Sequence, residues 1–372
     1  MKQSRLLLRL DSAIAKARES LTLHCLQIER ACYLARRGQT EEARATVVEL
    51  RRRYEQNPSA LISAWLSLAE GLLIHFSNMG QQARDKIQRA HALSAAAGLR
   101  QLNATSAAWL AHMDYLTGNM GAMARYIKEA IELAERGNHS ALSRASLVTA
   151  DALHLAGRMD LAKPWYAKAH EHAIADGDDA TVGALMHNMA WLRFANLRQS
   201  TFDGGSVSPS GQLALVSVDS TLQFENMVGA DGLYALSPIL RAQILADKGE
   251  FAASLALCDE HLTKAIDQGI QRLQPSLVAD QAWCHLNLGQ ILAARENAEV
   301  AEALIDPAGQ FDDRASAHSR LAQVFHGLED ASASDRHFEQ AKLAWEGHAA
   351  LQSKIIEILH SPQNNAILNF LR

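Results

Sequence analysis

The groups best equipped for chemistry in this chain of 372 residues are 16 histidines, 41 aspartates and glutamates and four cysteines, and their spacing limits what they can do. His170-Glu171-His172 sets two imidazoles two residues apart, which on a helix places them on different faces and unfits them for one metal ion. No His-Glu-x-x-His pattern accompanies them. Asp176, Asp178 and Asp179 in ADGDDA have the look of a calcium loop, but the later glutamate that completes such a loop is missing. Cys25 and Cys32 lie seven apart and share a helix face; buried thiols explain them as well as a metal would. With Cys258 and Cys284 they form neither a Cys-x-x-Cys pair nor a disulfide framework. The nucleophile elbow, the phosphate-binding loop and the dinucleotide fingerprint are also absent from the sequence. The expectation is therefore a non-enzymatic protein with no catalytic residues, no metal and no cofactor.

The composition narrows the class. Hydrophobic residues make up 48%, charged residues 21% and aromatics 6%, and only 21 glycines and 7 prolines occur, which excludes collagen-like and low-complexity chains. Apolar stretches look broken by charge short of the ~20 residues that a membrane-spanning helix needs. The first apolar run is followed at once by Asp11, Lys16 and Arg18, which is wrong for a secretory signal, so a cytoplasmic protein with no membrane partner is expected. The net charge of −5 hides a gradient. Residues 1–100 carry 16 Lys and Arg against 9 Asp and Glu, whereas residues 201–372 carry 11 against 22. Such opposed ends allow head-to-tail self-association steered by charge. Arg51, Arg52 and Arg53 could meet phosphates, but cations at a helix end also complement its dipole, and direct nucleic-acid binding is not expected.

One spacing organises the whole chain. Ala150, Leu153, Gly157, Ala162, Tyr166 and Ala169 follow each other at gaps of 3, 4, 5, 4 and 3. The same gaps recur from Ala31, Ala242, Ala282 and Ala322, and more loosely from Gly71 and Ala111. They describe two helices joined by a tight turn: a small and a large apolar residue share one face, a residue with positive φ stops the helix, and a second small residue lets the backbones approach. The turn positions are Gly38, Gly118, Gly157, Gly249 and Gly289, with Asn78 and Glu329 standing in. Tyr166, Ile127 and Phe338 fill the space between hairpins. Such a pair cannot bury its faces alone, so neighbours must stack into a solenoid.

These residues resemble the tetratricopeptide repeat family, whose small, large, Gly, Ala, aromatic, Ala signature the 150–169 segment matches closely. The turns recur about every forty residues, longer than the ~34 of the standard repeat. That length is similar to the sensor domains of bacterial transcription regulators and to peptide-pheromone receptors. The resemblance implies an all-α, right-handed superhelical solenoid of about nine antiparallel hairpins. It also implies ligand contacts from the first helix of each hairpin. Carried onto this sequence, that face holds Arg144, Leu147, Asp151 and His154 beside Ala150, and Thr105, His112 and Tyr115 beside Ala111. It continues with Gln243, with Trp283 and Asn287, and with Ser319, Gln323 and His326. The family's carboxylate clamp is not expected, because Asp151 stands where its key asparagine would be.

Residues 3–20 form an amphipathic helix expected to cap the basic end, and 348–360 with 364–371 should close the other. Between residues 1–199 and 220–372, segment 200–219 (STFDGGSVSPSGQLALVSVD) reads as an insertion, with a strand pattern at 211–218. It would serve as a flap, a hinge or a tolerated surface loop. The function expected is a scaffold that binds a protein or peptide on its concave face. The alternative is a regulatory sensor that changes superhelical shape on binding a small ligand or a signalling peptide.

Overall fold

Alanine and glycine at the recurring positions allow helices to pack in pairs, and the chain is built of such pairs. The computed structural model describes residues 4–202, 210–229 and 235–371. Among these residues the regular elements are helices throughout, with no strand. Among the described residues α1 (Arg5–Lys16) is followed by eight hairpins, against the roughly nine that the family resemblance implied. They are α2 (Ser20–Arg36) with α3 (Thr40–Arg53), α4 (Ala60–Asn78) with α5 (Gln82–Ala96), α6 (Arg100–Leu116) with α7 (Met120–Leu133), and α8 (His139–Leu155) with α9 (Met159–Asp176). The second four are α10 (Asp179–Phe202) with α11 (Ser210–Val228), α12 (Leu236–Asp247) with α13 (Phe251–Asp267), α14 (Gln274–Asn287) with α15 (Ile291–Leu304), and α16 (Phe311–Gly327) with α17 (Ala331–Leu359). A short α18 (Asn365–Phe370) follows. The even-numbered helices from α2 to α16 pack side by side as an inner layer, and each is backed by its odd-numbered partner.

The contacts inside a hairpin explain the spacing. Ser254 Oγ donates to the carbonyl of Ala242 at 2.8 Å, and Ser334 Oγ donates to that of Ala322 at 3.0 Å, so the two small positions are in direct contact. A Cβ added to Gly71 would lie 3.0 Å from the carbonyl oxygen of Ala83, which reserves that position for glycine. At the hairpin turns that hold Gly38, Gly118, Gly157, Gly249, Gly289 and Glu329, the residue after the positive-φ position donates its N–H to a carbonyl five residues back, as Arg158 does to Leu153 at 2.9 Å; in the second hairpin Gly80 N–H goes instead to Asn78 Oδ1 at 3.1 Å. Glu329 takes the positive φ as expected, but in the second hairpin the residue is Met79 rather than Asn78. Ile127 and Tyr166 are buried in the core, each such side chain worth about 1.5–3 kcal/mol of transfer free energy. Phe338 is 50% exposed instead; its ring meets Phe202 at the end of α10, tilted, with 5.6 Å between centroids.

The segment read as an insertion is largely helical where it is described. Helix α10 continues to Phe202, and α11 starts at Ser210 and runs through the expected strand; residues 203–209 lie outside the described residues. Ala214, Val218 and Thr221 are fully buried at gaps of four and three, a helical period in place of the strand pattern expected at 211–218. Helix α4 is long and apolar enough to cross a membrane by length and composition, with mean hydropathy 1.4, although Glu70 breaks its apolar run; 56% of that window is buried inside the fold. Its single carboxylate, Glu70, pairs with Lys86 at 2.8 Å and with Arg51.

Neither end of the stack is a simple cap. Leu6, Leu7 and Leu10 of α1 join the core, Leu6 N–H donates to the Gly177 carbonyl at 3.2 Å, and Arg9 pairs with Asp176 at 2.6 Å. Arg36 on α2 pairs with Asp178 at 2.6 Å, so the first hairpin meets the turn between the fourth and fifth. At the other terminus, Ile355 and Leu359 of α17 and Ile367 of α18 belong to the core built by α1–α9. Phe370 stacks on Trp165 at 5.8 Å, and Gln352 donates to the Leu155 carbonyl at 2.8 Å. The last helices thus return to the third and fourth hairpins instead of closing the far end. Gln310, just before α16, adds a bond to the Leu116 carbonyl at 2.6 Å.

Candidate functional site

Because α1 crosses back to the α9–α10 turn, the inner helices of the N-terminal half surround a space. It is a partly open cavity of about 370 Å³. Tyr33 and Glu29 on α2, Trp65 on α4, and Gln101, Thr105 and Trp109 on α6 line it, and the α7–α8 turn at Glu135–Ser140 forms one edge. Its polar groups are unevenly satisfied. Arg36 is held by Asp178 and by Thr181 Oγ at 3.0 Å, while Asp178 also caps α10 through the Thr181 N–H. Asp176 and Asp178, the residues that looked like a calcium loop, are therefore arginine partners. Among the described residues Gln101 Nε2 is buried without a partner. Burial raises the Glu29 carboxyl, and the charge of Asp176 adds to the effect.

Two of the expected inner-face residues adjoin this cavity. Arg144 on α8 is 4% exposed and its guanidinium carbon lies over Trp109, 4.0 Å from the ring centroid, with Nε buried and unpartnered among the described residues. His112 is edge-on to the same indole at 5.6 Å and to His75 at 5.3 Å, and its Nδ1 is also unpartnered. Burial lowers His75 to about 3 and His112 well below the usual imidazole range, and the Arg144 charge pushes both further down. Burial brings the Arg144 guanidinium itself down to about 9.

Asp151 and His154, expected on the same helix face, turn inward to Tyr166. The Tyr166 hydroxyl donates to Asp151 Oδ1 at 2.9 Å and is 3.1 Å from His154 Nδ1, while Asn188 donates to Asp151 Oδ2 at 2.7 Å. Burial raises Asp151 to about 7 and lowers His154 to about 4. Tyr115 is half-buried at the junction of the two halves; burial, then the charges of Asp151 and Asp312, raise its phenol well above the ordinary value.

The inner face of the C-terminal half is filled by its own side chains. Arg198 of α10, Asp247 of α12, Asp280 of α14 and Arg320 of α16 form one network, with Arg198 2.7 Å and Arg320 2.8 Å from Asp280. Both arginines also pair with Asp247, which their charges hold below the usual carboxylate range against the opposing effect of burial. Gln243 donates to Asp280 at 3.0 Å, Arg320 lies over Trp283 at 5.3 Å, and Arg320 donates to Gln323 Oε1 at 2.7 Å. A small cavity of about 30 Å³ lies there, lined in part by Gln243. Asn287, Gln323 and His326 are exposed near helix ends, and Asn287 Nδ2 donates to the Trp283 carbonyl. The expected residues therefore fall into separate groups rather than one groove. Among the described residues no cluster of His, Cys, Asp or Glu has metal-binding geometry.

Sequence reasoning missed Tyr33, Trp65, Gln101 and Trp109. The aromatic content of α2, α4 and α6 was the available signal, but the enclosure depends on where α1 docks.

No protein-family model matches the sequence, and no curated protein does. Among solved structures, the chain is similar to a Rap protein complexed with Competence and Sporulation Factor. That likeness has a TM-score of 0.57 and 12% identity, and covers 93% of this chain and 92% of the other. The fold is thus that of a tetratricopeptide-like helical repeat over nearly the full length.

Proposed function

We propose that this chain is a non-enzymatic module that binds a protein or peptide segment on the inner face of its N-terminal half. The observation that carries the reading is the contrast between the two halves. The C-terminal inner face is closed by its own arginine–aspartate network, whereas the N-terminal one keeps an aromatic-lined cavity of about 370 Å³ with an unpartnered Gln101 amide. That volume lies in the ~300–1,000 Å³ range of ligand sites, and indole walls with a free amide donor suit an extended chain with its backbone carbonyls unpaired. The similar Rap structure is itself a complex, which supports binding over catalysis.

The test is a selection of random linear peptides on phage against the intact protein, followed by fluorescence anisotropy of the enriched sequences. Trp65→Ala should weaken them by about thirtyfold or more if the indole is a buried anchor. No enrichment, or equal binding to Trp65→Ala, overturns the reading.

A sensor role for the same module is favoured by the contacts of Gln352 and Gln310, which tie the far helices to Leu155 and Leu116. A ligand that preferred one spacing of these contacts would shift the shape of the stack. Small-angle scattering with and without an enriched peptide should then show a changed radius of gyration, and superimposable curves would refute it.

A further inference from the structure

A carboxylate on the wall of a largely apolar cavity needs a counter-charge, and one on the N-terminal cavity wall has none. Glu29 lies one turn before Tyr33 on α2 and lines this cavity, yet among the described residues its carboxylate forms no hydrogen bond or ion pair. The arginines whose charge it feels are engaged elsewhere, Arg9 with Asp176 and Arg36 with Asp178. Among the described residues that line the cavity, Arg36 is the one cation, against Glu29, Glu135 and Asp176. With the two arginine pairs balanced, Glu29 on the wall and Glu135, exposed at the rim, are left uncompensated. The aromatic walls differ in the same way. Tyr33 has the guanidinium groups of Arg36 and Arg37 over it at 5.3 and 5.8 Å, and Trp109 has that of Arg144 at 4.0 Å. Trp65 of α4 lines the same cavity and meets no cation and no other ring among the described residues.

We propose that this cavity binds an organic ammonium ion, with Glu29 as its counter-ion and the Trp65 indole as the face that its alkyl groups cover. This assignment rests on the binding reading above, because the cavity is the same. A carboxylate and an indole face together attract a cation with an apolar body, and Leu6, Leu10 and Leu68 around them suit its alkyl groups. A guanidinium fits less well. It carries five N–H donors, and neighbouring acceptors are already taken: Gln101 Oε1 by the Glu135 N–H and Asn138 Nδ2, and Asn138 Oδ1 by the Ala141 N–H. An ammonium with carbon in place of some hydrogens asks for fewer acceptors. The ammonium belongs to a free amine, or to the N-terminus or a lysine of the bound segment.

The first test needs no peptide. Butyltrimethylammonium is titrated into the intact protein at constant ionic strength, and the indole N–H signal absent from Trp65→Phe is followed in ¹H–¹⁵N spectra. That signal should move saturably, with half-saturation on the order of millimolar. Butanol, butyrate and guanidinium should each bind about tenfold more weakly or not at all. An unmoved signal, or an equal response to any of these three, overturns the proposal. The second test is Glu29→Gln, which keeps the shape and removes the charge. It should weaken butyltrimethylammonium by about tenfold or more and should hold or raise Tm, because the carboxylate has no partner to lose. Glu135→Gln changes the charge at an exposed position and should weaken the probe by about twofold through the field at the mouth. Unchanged affinity in Glu29→Gln, or tighter binding in Glu135→Gln, overturns the proposal. A fall in the Tm of Glu29→Gln does the same, since it makes Glu29 a structural residue.

With enriched peptides in hand, N-terminal acetylation and Lys→Gln changes identify the source of the ammonium. The critical change should weaken binding to the wild type by about tenfold or more, and should have no effect on Glu29→Gln. Peptides indifferent to both changes, with the probe response intact, assign the site to a free amine. A probe response without any enriched peptide leaves this site standing and removes the peptide reading. Enriched peptides without a probe response do the reverse.

Discussion

Asp280 offers a sharp test of how the C-terminal inner face is held. Its two oxygens accept four hydrogen bonds, two from Arg198 Nη2, one from Arg320 Nε and one from Gln243 Nε2, all between 2.7 and 3.0 Å. The side chains of Arg198, Arg320 and Asp280 are 11%, 10% and 3% exposed. Asp280→Asn preserves the shape, but two guanidinium groups are left to share Asp247, and an amide N–H₂ faces a cation. Removing one partner of a buried pair costs about 3–5 kcal/mol, because the surviving charge stays buried. Adding Arg320→Gln restores neutrality, with Arg198 and Asp247 left as a pair. The double variant should therefore be more stable than the sum of the single losses implies, by at least about 1 kcal/mol. Urea unfolding followed by circular dichroism on the four proteins of this cycle measures both quantities. A loss below about 1 kcal/mol for Asp280→Asn, or strictly additive losses, would refute the view that this network closes the inner face by charge compensation.

The turns allow a matched pair of measurements. Glu329 holds φ at 60°, where glycine serves elsewhere, so Glu329→Gly should raise stability by up to about 1 kcal/mol. Gly157 has φ 71° and open space where a Cβ would go, so Gly157→Ala should lose about 1–2 kcal/mol from backbone strain alone, both read as shifts in urea midpoint. A third prediction concerns pH. Burial holds His75 at about 3 and His154, His187 and His318 at about 4, below the unfolded value, so their contribution is present above pH ~6.5 and is lost as the pH falls. Asp151 and Asp313, both raised to about 7 by burial, act in the opposite sense: their contribution is complete below pH ~4 and is lost as the pH rises through 7. Between pH 4.5 and 6, unfolding takes up four protons at these histidines and releases two at these aspartates. Stability should therefore rise with pH by at most about 3 kcal/mol per unit, and an equal or higher urea midpoint at pH 5 than at pH 6.5 would contradict it.

The hairpins were legible because their determinants are local. A small residue meets another small residue across one turn, as Ser254 meets Ala242, and the helix stop lies four residues after a large apolar one. The errors also have local causes. Asn78 was one position from Met79, which carries the positive φ, and the apolar run of Leu213, Leu215, Val216 and Val218 masked a face of Ala214, Val218 and Thr221. The site was less legible, because enclosure arises from the accumulated rotation of several hairpins. The meeting of Leu6 with Gly177, some 170 residues apart, has no trace in either segment. Choosing inner-face residues by helix position located α8 correctly. It could not distinguish Arg144, which lies on an indole, from Asp151 and His154, which turn away to Tyr166.

The return of α17 and α18 to the third and fourth hairpins alters the physics of the array. An open stack of repeats behaves as a one-dimensional lattice whose stability is a sum of neighbour terms and whose ends fray first. Here Phe370 lies on Trp165, and Ile367 sits in the same core as Leu6. The lattice is closed into a loop, so the last helices cannot melt without uncovering the middle of the chain. Such long-range closure slows folding, because distant segments must meet before it contributes. In exchange it turns eight local units into one cooperative body, in which strain at a single inner helix is felt around the whole circuit.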